Sequence, residues 1–447
     1  MKVMIVGAGE VGFHIAELLS RERHAVTVIE RDPQRAAELR KELNALIAEG
    51  NGASTEVLEA ANVSDMELFI AVTDLDEVNL IACLLAHDHG VPRIIARIKS
   101  LEYTKAEWNR NAARLGIGLI INPQIVVAEE IIQSVSYTAA CEVAEFARGR
   151  VVFLGYPIGQ NSPLAGVSMR TLGEIRGLYR MVVTAISRQG RTITPRGEDA
   201  VEPGDTLYFV CSKRDLPAVT TLFGFEEWET KSIFVLGGGK VGSEVAARLA
   251  KQRYRVKIVE RDPADCEDLA ARLEGVRVLN AKGTDIETLK NEGLGSADVF
   301  IAVTQDDQSN ILCSLLAKRH GVRRAIALVN RPEFVNLAPT LGIDVCISPR
   351  LATASAILKH VWQAEVVSMA MVEQCDSEVI EFLLPADSPI LHQPLKALDI
   401  PAGCVVGAIV RGDGAIVPFG EDHFEAGDHV VVFSLPEATS EVVKFFS

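Results

Sequence analysis

Three glycines spaced Gly7-x-Gly9-x-x-Gly12 follow a short apolar run, and Glu30 stands 30 − 12 = 18 residues past the last of them. A backbone without side chains at this spacing suits one kind of chemistry. Free N–H groups at a helix N-terminus bind an anion, and the helix dipole adds to the attraction. Gly7 permits a tight turn, Gly9 lets a pyrophosphate approach the main chain, and Gly12 lets the helix pack close to its strand. Ala8, Glu10 and Val11 complete the loop. An acid at the distance of Glu30 accepts hydrogen bonds from ribose hydroxyls and repels a 2′-phosphate. The neighbouring Arg31 would partly offset that repulsion. Glu30 thus selects an unphosphorylated ribose, which NAD(H), ATP and ADP all carry.

The constellation occurs twice. Gly237, Gly238, Gly239, Lys240, Val241 and Gly242 repeat the loop 237 − 7 = 230 residues later, and Glu260 is the twin of Glu30. The likeness runs past the glycines: VTVIERDP (26–33) returns as VKIVERDP (256–263), and LFIAVTDLDEVN (68–79) as VFIAVTQDDQSN (299–310). Self-similarity at this length marks a duplicated domain. Three further features fall beyond the carboxyl ends of strands, where an open α/β sheet binds its ligand. Asn51, inside a Gly-Asn-Gly turn, is expected to touch the adenosine; Thr73 and Asp74 follow the fourth strand; Arg97 ends the fifth. In the second copy Thr304 is kept, but Gln305 replaces Asp74 and Leu328 replaces Arg97. The two pockets are therefore expected to differ, the second binding more weakly or preferring another nucleotide.

The elements that must hold these residues alternate. Strands at 2–6, 25–30, 45–48, 68–72 and 93–98 are separated by helices, the first at 10–22. Continuous apolar strands joined by helices imply a parallel sheet covered on both faces, and right-handed crossovers make it a doubly wound, Rossmann-like domain. Between the two copies and after the second lie segments of another character. TPRGEDAVEPGDTLYFVCS (194–212) parallels VPFGEDHFEAGDHVVVFSL (417–435), short Val-rich strands behind turn signals, which implies a small β-rich α+β module. The expected order is large–small–large–small: 1–140, 141–228, 229–365 and 366–447. Within it, His87 and His89 are expected to cap a helix, and Glu129–Glu130 to mark the wet side of a helix over 123–136.

Composition narrows the function classes. The chain has 447 residues, 48% hydrophobic and 23% charged, with a formal charge of −15. That charge opposes nonspecific binding to nucleic acid. No apolar run is long enough to span a bilayer, and because a strand pattern begins at once no signal peptide is expected. Eight cysteines at 83, 141, 211, 266, 313, 346, 375 and 404 show no CxxC pair, so neither a metal site nor a disulfide framework is expected. The first small module holds no histidine, and its polar candidates Lys213 and Asp205 adjoin turn signals. No catalytic residue is assigned. From the residues alone two classes remain: a nucleotide-responsive binding protein, or an NAD(P)-dependent oxidoreductase acting on an amino or hydroxy acid.

The run Gly7-Ala8-Gly9-Glu10-Val11-Gly12, Glu30, AVTDLDEVN (71–79) and EPGDTLYF (202–209) resembles the RCK domain, the regulator of potassium conductance. In tandem, closed by IVRGDGAIVPFGEDHFEAGDHVVVF (409–433), the chain resembles regulatory subunits of Trk-type potassium-uptake systems along its whole length. The resemblance implies a cytosolic, non-enzymatic protein at the inner face of the cell membrane, assembled as a homo-oligomeric ring, a tetramer. It implies docking on a potassium-translocating membrane protein, gated by NAD(H) or by ATP/ADP. Carried over, the first site uses Gly7 to Val11, Glu30, Thr73, Asp74 and Arg97, and the second Gly237 to Val241 and Glu260.

Overall fold

The computed structural model describes residues 1–21, 23–104, 108, 112–224, 228–361, 366–372 and 377–446. Residue 22, Cys375 and the expected junction at 365 lie outside them. The first sheet is built from β1 (Lys2–Val6), β2 (Ala25–Glu30), β3 (Leu46–Glu49), β4 (Leu68–Ala71), β5 (Ile94–Arg97) and β6 (Leu119–Ile121). Between them run α1 (Glu10–Arg21), α2 (Pro33–Glu42), α3 (Thr55–Ala60) and α4 (Asp76–Asp88), and α5 (Pro123–Ser136) follows. The strand order is β3-β2-β1-β4-β5-β6, every pair parallel, the doubly wound order in which a ligand crevice opens where the order reverses. Val3 to Val6 are all within 1% of full burial, because helices cover both faces of β1.

The next segment folds differently. β7 (Glu142–Phe146), β8 (Val151–Pro157), α6 (Met169–Tyr179), β9 (Met181–Arg188), β10 (Arg191–Ile193), β11 (Thr206–Ser212) and α7 (Leu216–Leu222) form an antiparallel sheet of order β10-β9-β11-β8-β7. The second large copy contains β12 (Ser232–Leu236), α8 (Lys240–Lys251), β13 (Arg255–Glu260), α9 (Pro263–Arg272), β14 (Val276–Asn280), α10 (Ile286–Asn291) and β15 (Val299–Ala302). It continues with α11 (Asp307–Arg319), β16 (Arg324–Leu328), α12 (Pro332–Thr340), β17 (Val345–Ile347) and α13 (Pro349–Leu358). Its strand order, β14-β13-β12-β15-β16-β17, repeats the first. β18 (Val366–Val372), β19 (Ser377–Leu383), β20 (Cys404–Arg411), β21 (Gly414–Ile416), β22 (His429–Ser434) and α14 (Thr439–Phe446) give the second small sheet, β18-β19-β22-β20-β21.

Contacts divide the chain into two compact units that do not follow sequence order. One holds residues 1–128 with 348–361; the other holds 129–347 with 362–447. In the first unit α13, which ends the second Rossmann-like copy in sequence, packs on α1. His14 on α1 is driven down to a pKa of about 4, first by burial and then by the charge of Arg350 on α13. In the second unit the two small sheets share one core: Phe153, Tyr208 and Val210 pack with Val379, Val431 and Phe433. The Phe153 and Phe433 rings stack 6.4 Å apart.

Only the first of the paired acids of α5 marks a wet side. Glu129 is exposed and pairs with Arg248 at 3.3 Å, whereas Glu130 is largely enclosed and its carboxyl is pushed up to about 8 by burial, then by Glu142 and Glu129. Glu142, on β7, adds its charge to that of Glu129 there, which one helix's own periodicity does not reveal.

Candidate nucleotide sites

The glycine loop between β1 and α1 closes tightly. Gly7 sits at φ +96°, the left-handed region that favours glycine, and its N–H donates to the Ile29 carbonyl at 2.9 Å. A methyl group on Gly12 would lie 1.9 Å from the Gly7 oxygen, so that glycine serves helix–strand packing. Gly9 is of another kind. A methyl group there would meet nothing within 4 Å, and the same is true of Gly239. The fold does not itself require a bare backbone at either position, and each leaves open space at a helix N-terminus. Gly237, at φ +105°, and Gly242, whose methyl group would come within 1.9 Å of the Gly237 oxygen, repeat the first loop.

The glutamates anchor these loops. Glu30 accepts the Ala8 N–H on one oxygen at 2.8 Å and the Asp32 N–H on the other at 2.9 Å. A carboxylate offers about four acceptor positions, so each oxygen keeps one for a ribose hydroxyl. Glu260 is more fully used. It accepts Gly238 N–H at 2.8 Å on one oxygen, and Arg261 and Asp262 N–H at 2.6 and 3.0 Å on the other. Arg31 and Arg261 are exposed at the rim. Asn51 is exposed in its turn and accepts the Ala53 N–H at 3.0 Å, while a methyl group on Gly52 would lie 2.0 Å from Val6.

Beyond β4, Thr73 packs against the glycine loop, so that a methyl group on Gly7 would lie 2.9 Å from its Cγ2. Asp74 accepts Lys99 Nζ at 2.7 Å and Arg97 Nη1 at 3.3 Å; the Lys99 hydrogen bond holds its carboxyl below the usual range. Arg97, expected in the first site, is thus engaged by Asp74 and by the Thr73 carbonyl at 3.4 Å. In the second copy Gln305 is exposed and Leu328 is buried, so this charged cluster has no counterpart there. Lys240 is exposed at the first position of α8, where Glu10 opens α1. Val11 is buried and Val241 half-buried on the inner side of their helices.

Two residues at each site were not singled out from the sequence. Asn79, fully buried, accepts Thr73 N–H and Oγ1–H at 2.9 and 2.6 Å and donates to the Thr73 and Arg97 carbonyls at 3.0 and 2.8 Å. Asn310 does the same for Thr304 and Leu328, at 2.9, 2.7, 3.0 and 2.9 Å. Asp76 takes the N–H groups of Lys99 and Ser100, and Asp307 those of Asn330 and Arg331. The repeated motif displayed all four, but their purpose lies in the adjacency of β4 to β5 and of β15 to β16. Other candidates are structural. His89 lies 2.8 Å from the Leu85 carbonyl at the end of α4, and His87 is exposed there. Asp205, almost fully buried, binds Arg188 through both oxygens at 2.8 Å, as Asp428 binds Arg411 at 2.9 and 2.8 Å. Lys213 pairs with Glu145 at 2.8 Å. Among the described residues no cluster of metal-ligating side chains occurs.

Fold and site together define a tandem Rossmann-like architecture: two doubly wound domains with open glycine loops, each followed by a β-rich module. The model of the TrkA-N domain matches residues 3–123 and 233–349, and that of the TrkA-C domain matches 153–224 and 379–447. A Trk system potassium uptake protein TrkA homolog of Methanosarcina mazei is 34% identical, with 100% of each chain covered. The TrkA of Halomonas elongata is 33% identical over 97% of this chain and 95% of its own. The chain belongs to the TrkA family. Among solved structures, the GsuK channel bound to NAD aligns with a TM-score of 0.60 at 20% identity, over 100% of this chain and 78% of that one. The GsuK RCK domain aligns at 0.59 and 21% identity, over 99% and 95%. Both show that the fold is shared.

Proposed function

We propose that this chain is the cytosolic regulatory subunit of a Trk-type potassium-uptake system. It binds NAD(H), or ATP/ADP, at the two glycine loops, and binding shifts a potassium-translocating membrane partner between closed and open states without turnover of the nucleotide. The observation that carries this reading is the pair of open helix N-termini, at Gly9 and Gly239, each beside a glutamate with acceptor capacity to spare. The first site comprises Gly7 to Gly12, Glu30, Asn51, Thr73 and Asp74, with Arg31 at its rim and Arg97 acting through Asp74. The second comprises Gly237 to Gly242, Glu260, Thr304 and Gln305. Glu260 has fewer acceptor positions left than Glu30, which supports weaker ribose binding there.

Switching a gate from 1:99 to 99:1 takes about 5.5 kcal/mol, whereas a single site typically couples by about 1–3 kcal/mol. Several sites on one assembly supply the difference, which gives the duplication a purpose. Support for a homo-oligomeric ring, a tetramer, comes from Ile81 on α4 and Leu312 on α11, which stand at equivalent positions and are 48% and 50% exposed. Leu337 and Leu341 in the second copy are likewise exposed. Among the described residues no helix is long and apolar enough to cross a membrane, which suits attachment at the inner membrane face through a partner. Domain limits near residues 140, 228 and 366 complete the reading. The test is potassium flux into vesicles carrying the membrane partner, with this protein and each nucleotide added in turn. Flux that depends on protein and nucleotide together supports the proposal; flux indifferent to the nucleotide removes it.

A further inference from the structure

Strand β5 is held at both ends. At its carboxyl end Asn79 ties the Arg97 carbonyl to Thr73, beside the glycine loop. At its other end, about 13 Å away at ~3.3 Å per residue, Arg93 donates through Nη1 to the Val361 carbonyl at 3.0 Å. Val361 is fully buried and lies three residues beyond Leu358, the last residue of α13. Strand β16 repeats the arrangement. Asn310 ties the Leu328 carbonyl to Thr304. At the opposite end Arg324, only 2% exposed, donates Nη1 to the Thr138 carbonyl and Nη2 to the Ala140 carbonyl, the latter at 2.5 Å. Thr138 lies two residues beyond Ser136, the end of α5. In each compact unit one arginine therefore grips the chain just after a helix that leads on to a small module.

The grip at Arg324 is a costly one. Burial lowers its pKa to about 10, which leaves it charged at neutral pH, and its Nε has no hydrogen-bond partner. Asp344, which eases that charge, is itself paired with Lys318 at 2.9 Å and takes the Ala325 N–H at 2.7 Å. A buried charge spent on two main-chain carbonyls contributes little net stability compared with an apolar residue of the same size. Its effect is to fix the linker to the strand.

Resting on the proposed nucleotide sites, we propose that β5 and β16 are rigid links. Each transmits a shift of the nucleotide edge to the linker that follows α13 or α5, with Arg93 and Arg324 as the grips. Contiguity alone does not establish coupling, so the test reads the far end directly. Amide hydrogen exchange is followed on the full chain with and without saturating NADH, alongside calorimetric titration. The expected result is slower exchange at the glycine loops together with altered exchange over residues 138–142. In Arg324→Met, NADH affinity stays within about twofold of the parent. The change at 138–142 falls at least fivefold, and the response around residues 359–361, which Arg93 governs, is retained. Should Arg324→Met not fold, Arg93→Met, at a half-buried position, gives the mirror test. Loop protection without any change at the linkers overturns the link while leaving nucleotide binding intact, as does an undiminished linker response in the variants. Failure of NADH to bind overturns the sites and the link together.

Discussion

Replacing Gly9 by alanine separates what the fold needs from what a ligand needs. The added methyl group meets no protein atom within 4 Å, and Gly9, unlike Gly7, does not adopt the left-handed backbone conformation. Glycine-to-alanine changes at unstrained positions stabilise by about 0.4–1 kcal/mol, so the melting temperature of Gly9→Ala should hold or rise by a few degrees, at about 2–4 °C per kcal/mol. A phosphate seated on the N–H groups of this loop meets the same methyl group at contact distance. Overpacking of that kind costs about 1–3 kcal/mol, which is a roughly 5- to 150-fold loss of affinity. Gly239→Ala should act alike on the second site alone, and the double variant should show the loss at both sites. Gly12→Ala is the contrasting control, since its methyl group would lie 1.9 Å from the Gly7 oxygen and must damage the domain itself. Calorimetric titration with NADH and thermal scans of the four variants decide the matter. Parental affinity in Gly9→Ala would mean that the phosphates sit elsewhere, and a lowered melting temperature would mean that the space is not open.

Other substitutions probe the rest of the site. Glu30→Gln keeps the shape but removes the charge that accepts the Ala8 and Asp32 N–H groups, and hydrogen bonds to a charged group are worth about 1.5–3 kcal/mol each. NADH affinity at the first site should fall tenfold or more, and Glu260→Gln should cost less because Glu260 has less capacity left to lose; equal losses in titration would contradict this. Asn79→Leu removes the acceptor of the Thr73 N–H and a donor to the Thr73 and Arg97 carbonyls, and each buried group left unsatisfied costs about 1–3 kcal/mol. A drop of several degrees in melting temperature, with first-site affinity lost and second-site affinity kept, is the expected pattern. Glu130 tests the enclosed acid. Its folded pKa, about 8, exceeds the ordinary carboxyl value, so the proton is held more tightly in the folded state and stability falls as pH rises from about 4.5 towards 8. Glu130→Gln should therefore raise the melting temperature at pH 8 and leave it nearly unchanged at pH 4.5, as thermal scans at the two values will show.

The glycine spacing, Glu30 and Glu260 were legible because a tight turn and a close ligand approach constrain the backbone locally, within one strand–loop–helix unit. The duplication was legible for the same reason, since each copy carries its own loop. Asn79 and Asn310 stood inside a quoted repeat, yet their role depends on carbonyls 18 residues further on, across a strand pair. Arg97 has the charge a phosphate would want, but Asp74 stands within reach of its guanidinium, and that pairing is set by the lateral order of β4 and β5. Arg324 and Glu130 were least legible. One meets carbonyls 184 and 186 residues away, and the other is enclosed on a helix whose partner, Arg248, lies 119 residues from Glu129.

Calorimetric titration of the purified full-length chain with NADH, repeated with NAD, ATP and ADP, is the most direct test of the central claim. Saturable binding at two sites per chain, of unequal affinity, is expected, with the nucleotide recovered unchanged. No saturable heat with any of the four, or steady consumption of NADH against an amino or hydroxy acid, would contradict it.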